Sequence, residues 1–395
     1  MEKKKILIAV HRLSVGGVQK SLLTALDALD YDRFDVTLYV RKDDCPLLRQ
    51  VNPKVGRIVV NRDPTRYYRK PGAILLTLPL RLTALAGRDP QKWQEKLDRF
   101  VIEGKMRYEQ KHYFSDGTVY DAAVAYYQGY TAEFVLRCVP AKRRLMFYHR
   151  SVDEYHALHA RLLYGFDRIV AVSESGKDLL CKLYPNAAEK ITYLENHVDA
   201  PRIRADAQAY PIDRQNAGHL LCTCGRFSTE KGFDLALDAA KLLKEQELDY
   251  LWYFVGDGPD RAALEAKRAA LGLENEVRMT GMLRNPYPYL AGCDVYIQPS
   301  REESYGLSVA EAQILLRPTV STATAGGKSL IRDGETGLLT DFNHEDLAAK
   351  IGALLADAAL RERLRLGLSR ISYERKEKEY RAAWNALLSP EKEGP

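Results

Sequence analysis

Short, predominantly apolar runs at residues 6–10, 35–40, 57–60, 122–126, 144–148 and 168–172 are separated by longer polar stretches of helical length. Runs of this kind read as strands covered on both faces, and strands that alternate with helices predict a parallel sheet. Residues 191–194 close the series. Residues 200–218 then carry two prolines, several charges and no periodicity, the composition of a linker. A second series follows, with strands at 219–224, 251–255, 277–280 and 294–297 and helices at 232–245, 260–271 and 307–316, the last stopped by Pro318. Ser173 and Ser372 are candidate N-caps, the first for a helix to residue 183 and the second for a final helix to about residue 388.

The pattern predicts an α/β fold of two Rossmann-like, doubly wound parallel-sheet domains facing across a cleft, because 395 residues exceed what one core organises. The domains are expected over residues 1–200 and 201–371. Residues 372–395 form a C-terminal helix expected to pack back toward the N-terminal domain. Sheets of this kind take their ligands in the crevice outside the carboxyl ends of the strands.

Residues 67–111 break the alternation: Tyr67-Tyr68-Arg69-Lys70, an apolar stretch interrupted by Pro79 and Arg81, then a charged helical stretch around Trp93. Residues 67–87 suit a helix lying in a membrane interface or one packed on the core. The apolar part is too short and too broken to span a bilayer, which takes about 20 residues. Charge points the same way. Residues 1–200 hold 33 Lys and Arg against 24 Asp and Glu, and the rest of the chain 26 against 29. A basic first half suits an anionic membrane or a lipid-linked diphosphate, although a solvated face explains any single residue equally well. No nucleic-acid motif accompanies it, so no nucleic-acid partner is expected.

The six cysteines form no CxxC and are expected to be free thiols. His156 and His159 share a helical face but lack a third ligand, so no metal site is expected. The five-residue apolar run after Lys5 is not a signal peptide.

The densest chemistry lies at residues 299–312, where a strand, a polar loop with Gly306 and a helix follow one another. The opening of such a helix offers free backbone N–H groups and a positive dipole end to a phosphate, and Glu303 and Glu311 suit hydroxyls. Gly16-Gly17, after the first strand, lets a ligand approach the backbone; it is not G-x-G-x-x-G, so a dinucleotide fingerprint is not supported. Residues 225–232, reading G-R-F-S-T-E-K-G, put Arg226 and Lys231 on one loop, where both can neutralise a diphosphate. Gly326-Gly327-Lys328-Ser329 lacks the P-loop spacing, because Thr322 stands where a glycine is required.

Together with Val255-Gly256-Asp257-Gly258-Pro259, Asn285-Pro286-Tyr287-Pro288-Tyr289, Asp333-Gly334-Glu335-Thr336-Gly337 and the E-x7-E spacing of Glu303 and Glu311, these motifs resemble the retaining family 4 glycosyltransferases of the GT-B fold. The resemblance covers the second domain in order and, in the first, Gly16-Gly17, His149 and Val172-Ser173. The chain departs from the family pattern at Ser304 and His197, where glycine is commoner, and at Gly326-Gly327-Lys328-Ser329.

The resemblance implies an N-terminal domain that binds acceptor and a C-terminal domain that binds a nucleotide-sugar donor. Arg226 and Lys231 would hold the diphosphate, with Gly225 heading their loop; Glu303 would take hydroxyls of the donor sugar and Glu311 those of the ribose. The amides of Tyr305, Gly306 and Leu307 would cradle phosphate, Gly16 and Gly17 would line the pocket from the other domain, and His149 would face the transferred sugar. The implied activity is transfer of a hexose or N-acetylhexosamine, with retention and without a metal or other cofactor. The expected donor is a UDP-sugar. The implied acceptor is a lipid-linked saccharide or surface polysaccharide, reached at the cytoplasmic face of the cell membrane during capsule or surface-polysaccharide synthesis. Two rivals share the architecture: a nucleotide-sugar epimerase and a non-catalytic nucleotide-sugar-binding protein.

Overall fold

The computed structural model describes residues 2–61, 90–149, 162–215 and 217–389. The expectations placed on residues 67–87 and on His156 and His159 lie outside the described residues. The first sheet is organised around β1 (Lys4–Val10), whose residues from Ile6 onward are at most 1% exposed, as a strand covered on both faces requires. It pairs in parallel with β2 (Phe34–Val40) on one side and β4 (Ala122–Ala125) on the other, placing Ile6 opposite Val36 and Ala122. With β3 (Arg57–Val60), β5 (Arg144–Tyr148), β6 (Arg168–Ala171) and β7 (Ile191–Tyr193), the order is β3-β2-β1-β4-β5-β6-β7. Helices α1 (Gly17–Asp27), α2 (Pro90–Tyr113), α3 (Tyr130–Cys138) and α4 (Glu174–Leu183) accompany it; Ser173 caps α4 by accepting from the Gly176 amide.

The second sheet repeats the plan with β8 (His219–Cys224), β9 (Tyr250–Val255), β10 (Val277–Gly281), β11 (Val295–Gln298), β12 (Thr319–Thr322) and β13 (Leu338–Thr340), all parallel, in the order β10-β9-β8-β11-β12-β13. Every residue of β9 is buried, and Trp252 in it donates its indole N–H to Thr223 Oγ1 at 3.0 Å. Both sheets reverse their strand order beside the first strand, at β1–β4 and β8–β11, the switch points where ligand crevices form. The expected two-domain α/β architecture is present.

Helix α1 starts at Gly17, because the Lys20 amide donates to Gly16 O at 3.0 Å and closes the first turn over the diglycine. One expectation needs correction. Residues 200–218 are not an unstructured linker. They open with α5 (Ala200–Asp206), which Asp199 caps through the Arg202 amide and whose Ile203 is buried with Ile314. The remaining helices are α6 (Phe233–Glu245), α7 (Arg261–Ala270), α8 (Tyr287–Gly292), α9 (Leu307–Ile314), α10 (Ala325–Leu330), α11 (His344–Ala356), α12 (Ala358–Ser369) and α13 (Tyr373–Leu388). Ser372 caps α13, which leaves the second domain and packs on the first, where Tyr380, Trp384 and Leu388 join the core of α1 and β1.

Candidate functional site

A cleft of about 770 Å³ lies between the two sheets, within the usual size range of small-ligand sites. Its walls are the loops that follow β1, β5, β8 and β11. Gly16, Gly17, Lys20 and His149 come from the first domain; Gly225, Arg226, Lys231, Glu303, Tyr305, Gly306, Leu307 and Glu311 come from the second. All eleven residues singled out in the sequence therefore border one cavity, as does Lys20, which was not singled out.

The second-domain wall is built by close approach of two loops. Gly232, at φ +66°, sits so near the strand-end loop that a Cβ there would lie 2.0 Å from Pro299 O. Only glycine tolerates both the left-handed backbone and the contact. The loop is further held by the Arg301 amide on Glu230 O and by the paired Arg301–Asp234 bonds. Lys231 is thereby set at the cleft, where its Nζ pairs with Glu303 Oε2 at 2.7 Å. Arg226, one turn of the loop away, is exposed, and no ion pair or side-chain hydrogen bond holds its guanidinium among the described residues.

Helix α9 opens at Gly306, at φ +91°, with no side-chain cap, and Gly306, Leu307 and Ser308 border the cleft. The loop before it rests on α10. The Gly326 amide donates to Glu303 O at 2.8 Å, and a Cβ at Gly326 would come within 2.7 Å of the Tyr305 backbone. That contact accounts for Gly326, and a Cβ at Gly327 would come within 2.5 Å of Thr322 O. Tyr305 contributes backbone at the cleft while its side chain, 5% exposed, is buried in the first-domain core cluster.

The first-domain wall meets this one directly. Leu307 approaches so closely that a Cβ at Gly17 would be 3.3 Å from its Cδ1. Gly16 has an extended backbone that any residue adopts; it borders the cavity, and a Cβ there would come within 2.7 Å of Gln19 Oε1. Ser304 donates its hydroxyl to the His149 carbonyl at 2.8 Å, crossing between domains. The His149 ring lies against Tyr126, Tyr127 and Phe147. Burial pushes its pKa down to about 3, although a hydrogen bond to the Tyr126 backbone works in the opposite sense. The ring is therefore neutral at pH 7, and its buried Nε2 has no partner among the described residues. Such a nitrogen is an acceptor for a hydroxyl and too weak a base to carry a proton away at neutral pH.

Glu311, 3% exposed, is the deepest acid of the site. Its Oε1 accepts from Lys20 Nζ at 2.9 Å and from the Tyr287 hydroxyl at 3.1 Å. Burial disfavours the Lys20 ammonium, but Glu311, Tyr287 and Cys224 together outweigh it and the pKa is raised. The neighbouring Cys224 thiol is pushed up to about 12, chiefly by burial, and stays protonated. Lys20 and Tyr287 had no assigned role in the sequence reading. The available signal was position: Lys20 lies in the first turn of the helix that follows the diglycine.

Residues 211–366 match the family model described as glycosyl transferases group 1. The chain is 32% identical over 176 residues to a lipopolysaccharide core biosynthesis glycosyltransferase of Rhizobium meliloti, covering 44% of this chain and 50% of that protein. It is 34% identical over 143 residues to the alpha-D-kanosaminyltransferase of Streptomyces kanamyceticus, covering 35% and 37%. The chain thus spans about half or less of these two relatives. Whole-chain likeness comes from solved structures. Anabaena HepE in complex with UDP superposes with a TM-score of 0.66 at 16% identity, over 98% of both chains. Sucrose-phosphate synthase from Thermosynechococcus elongatus gives 0.71 at 18% identity, over 98% of this chain and all of that one, 100%. The fold is GT-B.

Proposed function

We propose that the protein is a retaining glycosyltransferase that moves a hexose or N-acetylhexosamine from a UDP-sugar to a lipid-linked saccharide or surface-polysaccharide acceptor. The observation that carries this reading is the convergence in one interdomain cleft of Arg226, Lys231, Glu303, Glu311 and an uncapped helix start. The match of residues 211–366 to group 1 glycosyl transferases and the UDP-bound HepE neighbour support it.

In this reading the diphosphate sits between Arg226, Lys231 and the amides of Tyr305, Gly306 and Leu307, with Gly225, Gly16 and Gly17 allowing its approach. Glu311 accepts from the ribose. Glu303 and the His149 Nε2 accept from hydroxyls of the donor sugar, and Lys231 exchanges its Glu303 partner for phosphate. The acceptor hydroxyl attacks the anomeric carbon on the face from which the nucleotide departs. The bond from that carbon to the phosphate oxygen breaks, and the departing phosphate takes the acceptor proton. Positive charge aimed at the leaving oxygen lowers the barrier. The basic first half of the chain supports an acceptor on an anionic membrane surface, approached peripherally from the cytoplasm. No helix among the described residues is long and apolar enough to cross a membrane.

The test combines a thermal-shift screen of UDP-, GDP-, ADP- and TDP-sugars with a transfer assay on membrane extract. A bound donor raises the unfolding temperature by mass action. Expected are a shift with a UDP-sugar, release of free UDP and a new glycoside, with transfer by Lys231→Ala lower by about a hundredfold or more. Unchanged turnover in Lys231→Ala would overturn the proposed mechanism. Release of nucleotide or inversion of the sugar without a new glycoside would point to the epimerase.

A further inference from the structure

The Lys20–Glu311 pair joins two domains inside the cleft. Glu311 sits on α9 of the second domain with its side chain 4% exposed, and burying a carboxylate is costly unless it is paired. Among the described residues its own domain does not provide the partner. Tyr287, from α8, is a neutral donor, and Lys231 is already paired with Glu303. The charge comes instead from α1 of the first domain, whose first turn directs Lys20 past Gly16 and Gly17 into the cavity.

The manner of contact matters as much as the charge. Lys20 and Tyr287 both bond to Oε1. Among the described residues no hydrogen bond ends on Oε2, although Glu311 borders the cleft. An ionised carboxylate offers about four acceptor positions. With two taken on Oε1, those left on Oε2 are as many as the hydroxyls of a ribose.

We propose that Lys20 is a positioning residue for the nucleotide: its ammonium, reaching across from the first domain, holds Glu311 so that Oε2 accepts the ribose hydroxyls. This rests on the donor reading above and extends it. Ribose recognition then belongs to both domains at once, since the carboxylate that reads the sugar is set only while α1 stands against α9. Lys20 acts through Glu311 and makes no contact with the ribose.

The test is calorimetric titration of the full chain with UDP, 2′-deoxy-UDP and 3′-deoxy-UDP, comparing the wild type with K20M and K20R. Loss of a hydrogen bond to a charged group is worth about tenfold or more in affinity. The wild type is expected to prefer UDP over the deoxy analogues by that margin. K20M is expected to lose about tenfold for UDP and little for the analogues, so that the preference collapses, and K20R to restore most of it. K20Q replaces K20M should that variant not fold. Equal losses for UDP and both analogues would show general attraction of the ammonium for phosphate and overturn the proposal, as would full ribose preference in K20M. Should the wild type bind UDP, GDP and ADP not at all, the donor reading falls and this inference with it. Binding that is intact but indifferent to K20M removes the inference alone.

Discussion

At the scale of single residues, His149 shows how an environment narrows what a side chain can do. Its ring is enclosed by Tyr126, Tyr127 and Phe147, and burial lowers its pKa from the ordinary 6.5 to about 3. The folded protein therefore holds the ring neutral, whereas the unfolded chain protonates it near 6.5. Between these values the unfolded state binds more protons, so folding stability is full above about pH 6.5 and is lost as pH falls toward 3. His11, lowered to about 4 chiefly by burial and then by Arg41, adds to the same trend. The unfolding temperature is expected to drop between about pH 7 and about pH 5, and His149→Gln should flatten that slope. Scanning calorimetry at the two pH values reads it; an identical slope in the variant would mean that the ring is not held neutral. Position after a strand was enough to nominate His149 from sequence. Its neutral state depends on rings brought together from β5 and the loop between β4 and α3, which no local pattern reveals. Lys20 was illegible for the same reason, because its partner is 291 residues away.

At the scale of elements, the second-domain wall depends on glycines whose necessity is a matter of neighbours. A Cβ at Gly232 would meet Pro299 O at 2.0 Å while the backbone holds φ +66°. Gly232→Ala is expected to incur about 1–2 kcal/mol for the left-handed conformation and more for the clash, displacing the turn that carries Lys231. Donor affinity should fall while the far-ultraviolet circular dichroism of the chain is kept. Gly352, inside α11, makes the control: its Cβ would meet nothing nearer than 3.5 Å, so Gly352→Ala should be stabilising by about 0.5–1 kcal/mol, with affinity unchanged. Titration of UDP against the two variants separates loop placement from general stability. Most strands were legible because parallel strands buried on both faces are continuous apolar runs. The ones missed are β12 (Thr-Val-Ser-Thr), which is polar for a buried strand, and β13 (Leu-Leu-Thr), which is only three residues long, and the sheet beside them supplies what their own sequence lacks. Helix α5 was hidden by its proline, although Pro201 falls in the first turn, where the missing N–H has no helical acceptor to lose.

At the scale of the whole molecule, the cleft and α13 fasten the two domains with different chemistry. On the cleft side the links are polar: Lys20 to Glu311, Ser304 to the His149 carbonyl, with Tyr305 as the apolar anchor beneath. Glu311 and His149 are also assigned here to the donor, through Oε2 and Nε2, so ligand and interdomain contacts share residues while using different atoms. Away from the cleft the link is α13, covalently joined to α12 and seated on the first domain. Trp384 is fully buried, donates its N–H to Ala25 O at 2.9 Å and meets Phe147 edge-on at 5.2 Å. Asn385 bonds the Asp30 amide and the Ala28 carbonyl, and Arg381 reaches Asp27 O. An apolar link of this kind is not exchanged for ligand, so it keeps the domains together while the cleft contacts rearrange. Trp384→Ala removes about 3–5 kcal/mol of this packing, a loss confined to the first domain and its junction. The thermal transition is expected to split, with the first domain melting earlier and the second, whose own core includes Trp252 and Phe254, keeping its midpoint. UDP should then raise the upper transition, because Arg226, Lys231 and Glu303 remain together in the second domain, and raise it less than in the wild type, because Lys20 no longer stands against Glu311. Calorimetry with and without UDP distinguishes this from the alternative: a single transition at the wild-type midpoint would mean that α13 contributes nothing to holding the halves together.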